Sequence, residues 1–114
     1  MKSKLRNDLS DIRIKNLIGN NIHFLHAPSV TDLYIEYEIY DKRYGDFSAN
    51  KNRSITNYIQ VDIFSKGDYT NVESMVEKVL CEKGYNFISS ADIYEENTKL
   101  FHKAMRFTFK EILN

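Results

Sequence analysis

Hydrophobic positions along this chain fall into blocks of two different periods. SKLRNDLSDIRIKNLIG carries Leu5, Leu9, Ile12 and Leu17 near helical spacing, with charged residues between them and Gly19 past the end. That spacing predicts one amphipathic helix from Ser3 to about Ile18. In NNIHFLHAPS, Ile22, Phe24 and Leu25 predict a short strand that stops before Pro28. DLYIEYEIYD then alternates: Leu33, Ile35, Tyr37 and Ile39 face one way, and Tyr34, Glu36, Glu38 and Tyr40 the other. A period of two marks a strand with one face in the core and the other in solvent or at an interface.

DKRYGDFSANKNR, Asp41 to Arg53, is polar, holds Gly45 and shows no period, so it predicts an exposed, mobile loop. Alternation resumes in SITNYIQVDIFSK, with Ile59, Val61 and Ile63 opposed to Tyr58, Gln60, Asp62 and Phe64. Thr70 and Glu73 have the spacing of a capping box, Val72, Met75, Val76, Val79 and Leu80 supply an apolar stripe, and Gly84 supplies a stop. YNFISSADIYEE reads as a strand that is irregular around Ser89 and Ser90, Asn97-Thr98 as a turn, and KLFHKAMRFTFKEIL as a long last strand. The last strand sets Phe101, Met105, Phe107 and Phe109 against His102, Ala104, Arg106 and Thr108. Helix, strands, helix, strands predicts an α+β fold: a mostly antiparallel sheet of four to five strands with two helices packed on one face.

The chain has 114 residues, one domain's worth, enough for a core without disulfides or metals. With 42% hydrophobic and 28% charged residues it has the composition of a soluble globular protein. Its 16 basic and 16 acidic residues cancel, which argues against binding nucleic acid chiefly through phosphate neutralisation and leaves no expectation of sequence-specific DNA or RNA contact. No apolar run reaches membrane-spanning length, and MKSKLRNDLS lacks a signal peptide's apolar core. Folding in a cytoplasm, away from membranes, is therefore expected. The single Cys81, beside Val79 and Leu80, reads as a small buried hydrophobe.

Catalytic chemistry has one case to answer. Asp62 on the polar side of a strand, Lys66 four residues later, and Glu36 and Glu38 on the neighbouring strand could together form a Mg²⁺ nuclease site. Carboxylates on the wet face of a strand are commonplace, however, and this spacing fits no specific signature. Lys66-Gly67 lacks the glycines of a phosphate loop, and His23, His26 and His102 with one cysteine do not make a zinc set. Glu95-Glu96 followed by Lys99 and Lys103 reads as a solvated turn. We therefore expect no catalytic residue, cofactor or metal.

Aromatic usage is more informative: eight Tyr and seven Phe with no Trp. Tyr34, Tyr37, Tyr40, Tyr44 and Phe47 run along one strand into the loop, as a subunit contact would require, or else they pair across the sheet. The candidate interface set on these grounds is Tyr34, Glu36, Glu38, Tyr40, Tyr44, Phe47 and Asp62.

The run YIQVDIFSKGDYTNVESMVEKVLCEKGYNF, followed by ADIYEENTKLFHKAMRFTF, resembles the tail terminator, or tail-completion and head–tail joining, proteins of long-tailed phages and prophages of Gram-positive bacteria. The likeness spans Leu33 to Phe109. It is clearest in Gln60 to Ser65, in the Tyr94-Glu95-Glu96 turn, and in the strand from His102 to Phe107. The resemblance implies a virion protein made in the bacterial host's cytoplasm and without enzymatic activity. It further implies a homo-oligomeric ring, commonly hexameric, that caps the tail tube protein and meets the head–tail connector. A neck adaptor without the terminating role is the alternative within that class; a Mg²⁺ nuclease or a regulatory binding domain are those outside it.

Overall fold

The computed structural model describes residues 1–47, 49 and 51–113. Among these residues three helices, α1 (Lys2–Leu9), α2 (Ile12–Ile18) and α3 (Thr70–Glu82), accompany five strands. The strands are β1 (Ile22–Phe24), β2 (Leu33–Gly45), β3 (Ser54–Ser65), β4 (Asn86–Glu95) and β5 (Leu100–Ile112). Their order across the sheet is β1-β2-β3-β5-β4. Only β1 runs parallel to its neighbour; the other pairings are antiparallel. The α+β expectation holds, with three helices in place of two.

The extra helix comes from a break in the first one. Ser10 ends α1, and the Asp11 carboxylate accepts the Arg13 backbone N–H at 2.9 Å, capping a new helix. The break resets the helical phase. Leu5, Leu9, Ile14 and Ile18 are buried, whereas Ile12 and Leu17, expected on the apolar face, are exposed. Arg13 also pairs with Glu82 at 2.8 Å, tying α2 to the end of α3.

In α3 the capping box does not form. Asp68 takes the cap role, accepting the Thr70 backbone N–H at 2.9 Å, while Thr70 is already helical and Glu73 pairs with Lys103 on β5. Cys81, expected to be buried, is exposed. One helical step of about 100° turns it away from the stripe of Val72, Val76, Val79 and Leu80. At the other end, the Tyr85 N–H donates to the Leu80 carbonyl and the Gly84 N–H to that of Cys81, the paired bonds of a Schellman stop. Gly84 has φ +97°, and a Cβ there would lie 3.3 Å from the Phe109 ring. Gly84→Ala is expected to cost about 1–2 kcal/mol in urea denaturation, from backbone strain and that contact together.

The helices cover one face of the sheet. Leu5, Leu9, Ile14, Ile18, Val72, Val76, Val79 and Leu80 close over Ile35, Tyr37, Ile59, Val61, Ile63, Met105 and Phe107. Each side chain buried this completely contributes roughly 1.5–3 kcal/mol through removal of apolar surface from water. The core's sheet residues stop at Ile39 on β2, Ile59 on β3 and Phe109 on β5, so those three strands continue past the helix layer as an arm.

That arm occupies much of the expected Asp41–Arg53 loop. The register shifts between Ile39 and Asp41, making Tyr40 the bulged residue, and pairing then resumes from Asp41 with Tyr58 to Gly45 with Ser54. Strand hydrogen bonds need no apolar alternation, which is why the polar run Asp41–Gly45 could be strand without showing a period. Asp46 secures the turn, accepting from the Ser54 hydroxyl and pairing with Lys110, each at 2.6 Å. Ser48 and Asn50, within the expected loop, lie outside the described residues.

Candidate functional site

The sheet face opposite the helices carries most of the side chains singled out by sequence. Register places them in cross-strand rows. Tyr34, Phe64, His102 and Ile93 form one row; Glu36, Asp62, Ala104 and Ala91 form the next; Glu38, Gln60, Arg106 and Ser89 the third. In the first row the rings stack. Tyr34 and Phe64 lie 4.8 Å apart at 12°, and Phe64 and the His102 imidazole 4.2 Å apart at 23°. Ala27 and Leu100 close over Tyr34, which is buried in a second, smaller apolar cluster.

Polar groups beside this stack are all engaged. His102 Nε2–H donates to Asp62 at 2.7 Å and Nδ1–H to Glu95 at 2.9 Å. Donating from both ring nitrogens to two carboxylates uses the protonated ring, which in that form has no lone pair for a metal ion or for proton abstraction. Asp62 also accepts from the Gln60 amide at 2.9 Å, and Arg106 donates to the Gln60 carbonyl oxygen at 3.1 Å. The Glu36 carboxylate accepts the Ala27 backbone N–H at 2.7 Å and stands 3.4 Å from His26 Nδ1. So Glu36 and Asp62, although directly opposite in register, are committed to different partners.

Burial by itself pushes the His102 pKa down. The hydrogen bonds and charges of Asp62 and Glu95 outweigh it, and the net direction is upward from 6.5. Sequence alone treats His102 only as a histidine outside any zinc set and misses the ion pairs. No sequence signal could have found them, because Asp62, Glu95 and His102 are brought together only by the pairing of three strands.

Lys66, the proposed partner of Asp62 in a metal site, is exposed beyond the end of β3, where its backbone N–H donates to the Asp32 carbonyl. Among the described residues no group of three His, Cys, Asp or Glu side chains is arranged to hold a metal ion. The cleft next to Gly67, about 520 Å³ and lined in part by Asp68, Tyr69, Glu73, Asp92 and Phe101, has its acids occupied as well. Asp68 caps α3, Glu73 and Asp92 pair with Lys103 at 3.0 and 3.2 Å, and Asp92 also accepts from the Tyr69 hydroxyl. Neither place presents an open carboxylate pair for acid–base or metal chemistry.

The aromatics divide between the two readings offered by sequence. Tyr34 and Tyr37 pair within the fold, the latter edge-on to Phe24 at 5.6 Å. Tyr40 stays 40% exposed under the Arg106 guanidinium, Tyr44 is 50% exposed, and Phe47 at the arm's tip is 73% exposed. Glu38 sits between them and Glu36, half-buried. Sequence reading finds the strand β4 but does not single it out as a surface; it is the sheet's edge, where Phe87, Ile88, Ile93 and Tyr94 are all exposed. The available signal is an apolar run with no Lys or Arg.

No helix among the described residues is long and apolar enough to cross a membrane. No protein-family model matches the chain, and no curated protein matches it in sequence. Among solved structures it is similar to a chain of the virion of a native gene transfer agent particle, with TM-score 0.69 at 10% identity, over 96% of this chain and 92% of that one. At that identity the likeness establishes a shared fold from end to end.

Proposed function

We propose that this chain is a structural subunit of a phage-like particle, and specifically a tail terminator. In this reading it forms a ring, commonly hexameric, on the end of the tail tube, stops tube growth and offers its other face to the head–tail connector. It would be made in a bacterial cytoplasm, act in the virion, and need no cofactor. The observation that carries the reading is the end-to-end likeness to a virion chain, since 96% of this chain is accounted for by a fold that serves there. The sequence resemblance in β3, the β4–β5 turn and β5 supports the same class independently.

The site chemistry is compatible with such a role. On the open face, Asp62, Glu95 and His102 are spent on one another, as in a packing unit, and Tyr40 stays exposed beside them. The arm formed by β2, β3 and β5 presents Tyr44 and Phe47 beyond the core, with Tyr40 at its base; these are the residues we assign to contact with the tube or the neighbouring subunit. Glu38, at the base of the arm, and Tyr34, Glu36 and Asp62, in the rows behind it, would support that surface.

Electron microscopy of the purified chain mixed with polymerising tail tube protein tests this. Rings at tube ends and an arrest of tube lengthening are expected. Tyr44→Ser combined with Phe47→Ser should keep the thermal transition and lose end binding. Unchanged capping by that variant would remove the arm from the contact. Absence of end-bound rings with the wild-type chain would overturn the terminator reading, and binding to the connector without arrest of growth would favour the neck adaptor.

A further inference from the structure

We propose that β4 is the surface by which one copy of this chain meets the next, docking against the opposite edge of the neighbour's sheet, formed by β1 and α1. This deepens the ring reading and rests on it. β4 has a strand partner on one side only, and every residue in it except Glu95 is exposed. Free edges are ordinarily protected by lysine, proline or shortness. β4 is ten residues long, and the segment from Asn86 to Thr98 contains no Lys, Arg or Pro. Its bulge at Ile88 leaves that side chain 51% exposed, with Ile93 at 44%.

Charge selects the occupant. Residues 86–98 hold Asp92, Glu95 and Glu96 and no cation. Asp92 and Glu95 have internal partners in Lys103 and His102, which leaves Glu96 at the turn as the carboxylate available to a neighbour. The other edge of the sheet is basic. Lys2 lies over the Phe24 ring of β1 at 3.9 Å, and Arg6 and Lys15 line a cleft of about 150 Å³ with Ser10, Asn20 and Ile22. The ion pairs of the two N-terminal helices use Lys4 and Arg13, so Lys2, Arg6 and Lys15 have no carboxylate partner among the described residues.

A two-fold contact of β4 with β4 would leave Glu96 and the basic cleft of both copies without partners. Joining unlike edges avoids this, and because those edges lie at opposite ends of one sheet, the contact is heterologous and propagates from copy to copy. The same chain therefore carries both halves of the interface: an apolar, acidic strand and a basic cleft.

Light scattering on the full-length chain up to millimolar concentration, with thermal unfolding as a check on folding, tests the assignment. The wild-type chain is expected to associate. Ile88→Lys with Ile93→Lys should keep its melting transition and remain monomeric. Glu96→Lys and Arg6→Glu should each weaken association about tenfold, and the two together in one chain should restore it. Association of the double-lysine variant like wild type, failure of the paired charge reversal to rescue, or a wild-type chain that stays monomeric would each overturn the proposal. Rings that depend on β4 but do not cap tubes would sink the terminator role and leave this interface standing; rings that cap tubes without β4 would do the reverse.

Discussion

Truncating Phe107 to alanine is expected to destabilise the chain by about 3–5 kcal/mol. Phe107 is completely buried at the centre of β5, beside Ile59 on β3 and edge-on to Phe87 on β4 at 5.5 Å. Removing the ring leaves a cavity that the surrounding strands, held by their ladders, can only partly close. A domain of this size has a total stability on the order of 5–15 kcal/mol, so the variant should be largely unfolded at moderate urea. Phe87→Ala, at a position already 37% exposed, should cost far less, about 1 kcal/mol. Equal losses for the two in urea titrations would mean that β4 is as deeply seated as β5, contrary to its exposure at the sheet edge.

What could be read from sequence follows from how local each feature is. β3 and the core side of β2 were legible because Ile35, Tyr37, Ile59, Val61 and Ile63 alternate with polar residues and are all buried beneath the helices. The stripe of α3 was legible for the same reason at helical period. The break between α1 and α2 was not, because Ile12 and Leu17 continue an apparently helical spacing; only the Asp11 carboxylate, capping a new turn, separates the two phases. Asp41–Gly45 looked like loop because that segment is held by backbone pairing across a bulge, and such pairing leaves no hydrophobic trace. The capping box failed for a tertiary reason: Glu73 finds Lys103, a residue thirty positions away in sequence, to be the better partner.

The candidate site was legible in its members but not in its relations. Asp62 stands out in sequence for what it could bind, and the geometry instead gives it His102, on a strand whose register sequence could not supply. The geometry weighs against the metal-site case: the Asp62 carboxylate is held by the His102 ring and the Gln60 amide. It also explains how an open sheet face can bury a charged pair. The Tyr34–Phe64–His102 stack shields one side of the imidazolium, while Asp62 and Glu95 neutralise it from the other.

That pair makes stability fall as pH rises through neutrality. The folded-state pKa of His102 lies above its unfolded value of 6.5, because the Asp62 and Glu95 interactions outweigh the downward push of burial. A group raised in this way contributes its full stabilisation below the unfolded pKa and loses it as pH climbs through the folded one. A measurable loss of stability is therefore expected on passing from mildly acidic to mildly alkaline solution. Asp62→Asn removes the nearer carboxylate but keeps an acceptor, and should flatten that slope. Its cost should be greatest at acidic pH, while the other carboxylates are still ionised, because the imidazole can shed its proton at higher pH and escape the loss of its partner. Urea denaturation of both chains across this range decides the matter: parallel stability curves would show that His102 is neutral throughout, and with it the two-carboxylate clamp that fastens the end of β4 to the centre of the sheet would have to be abandoned.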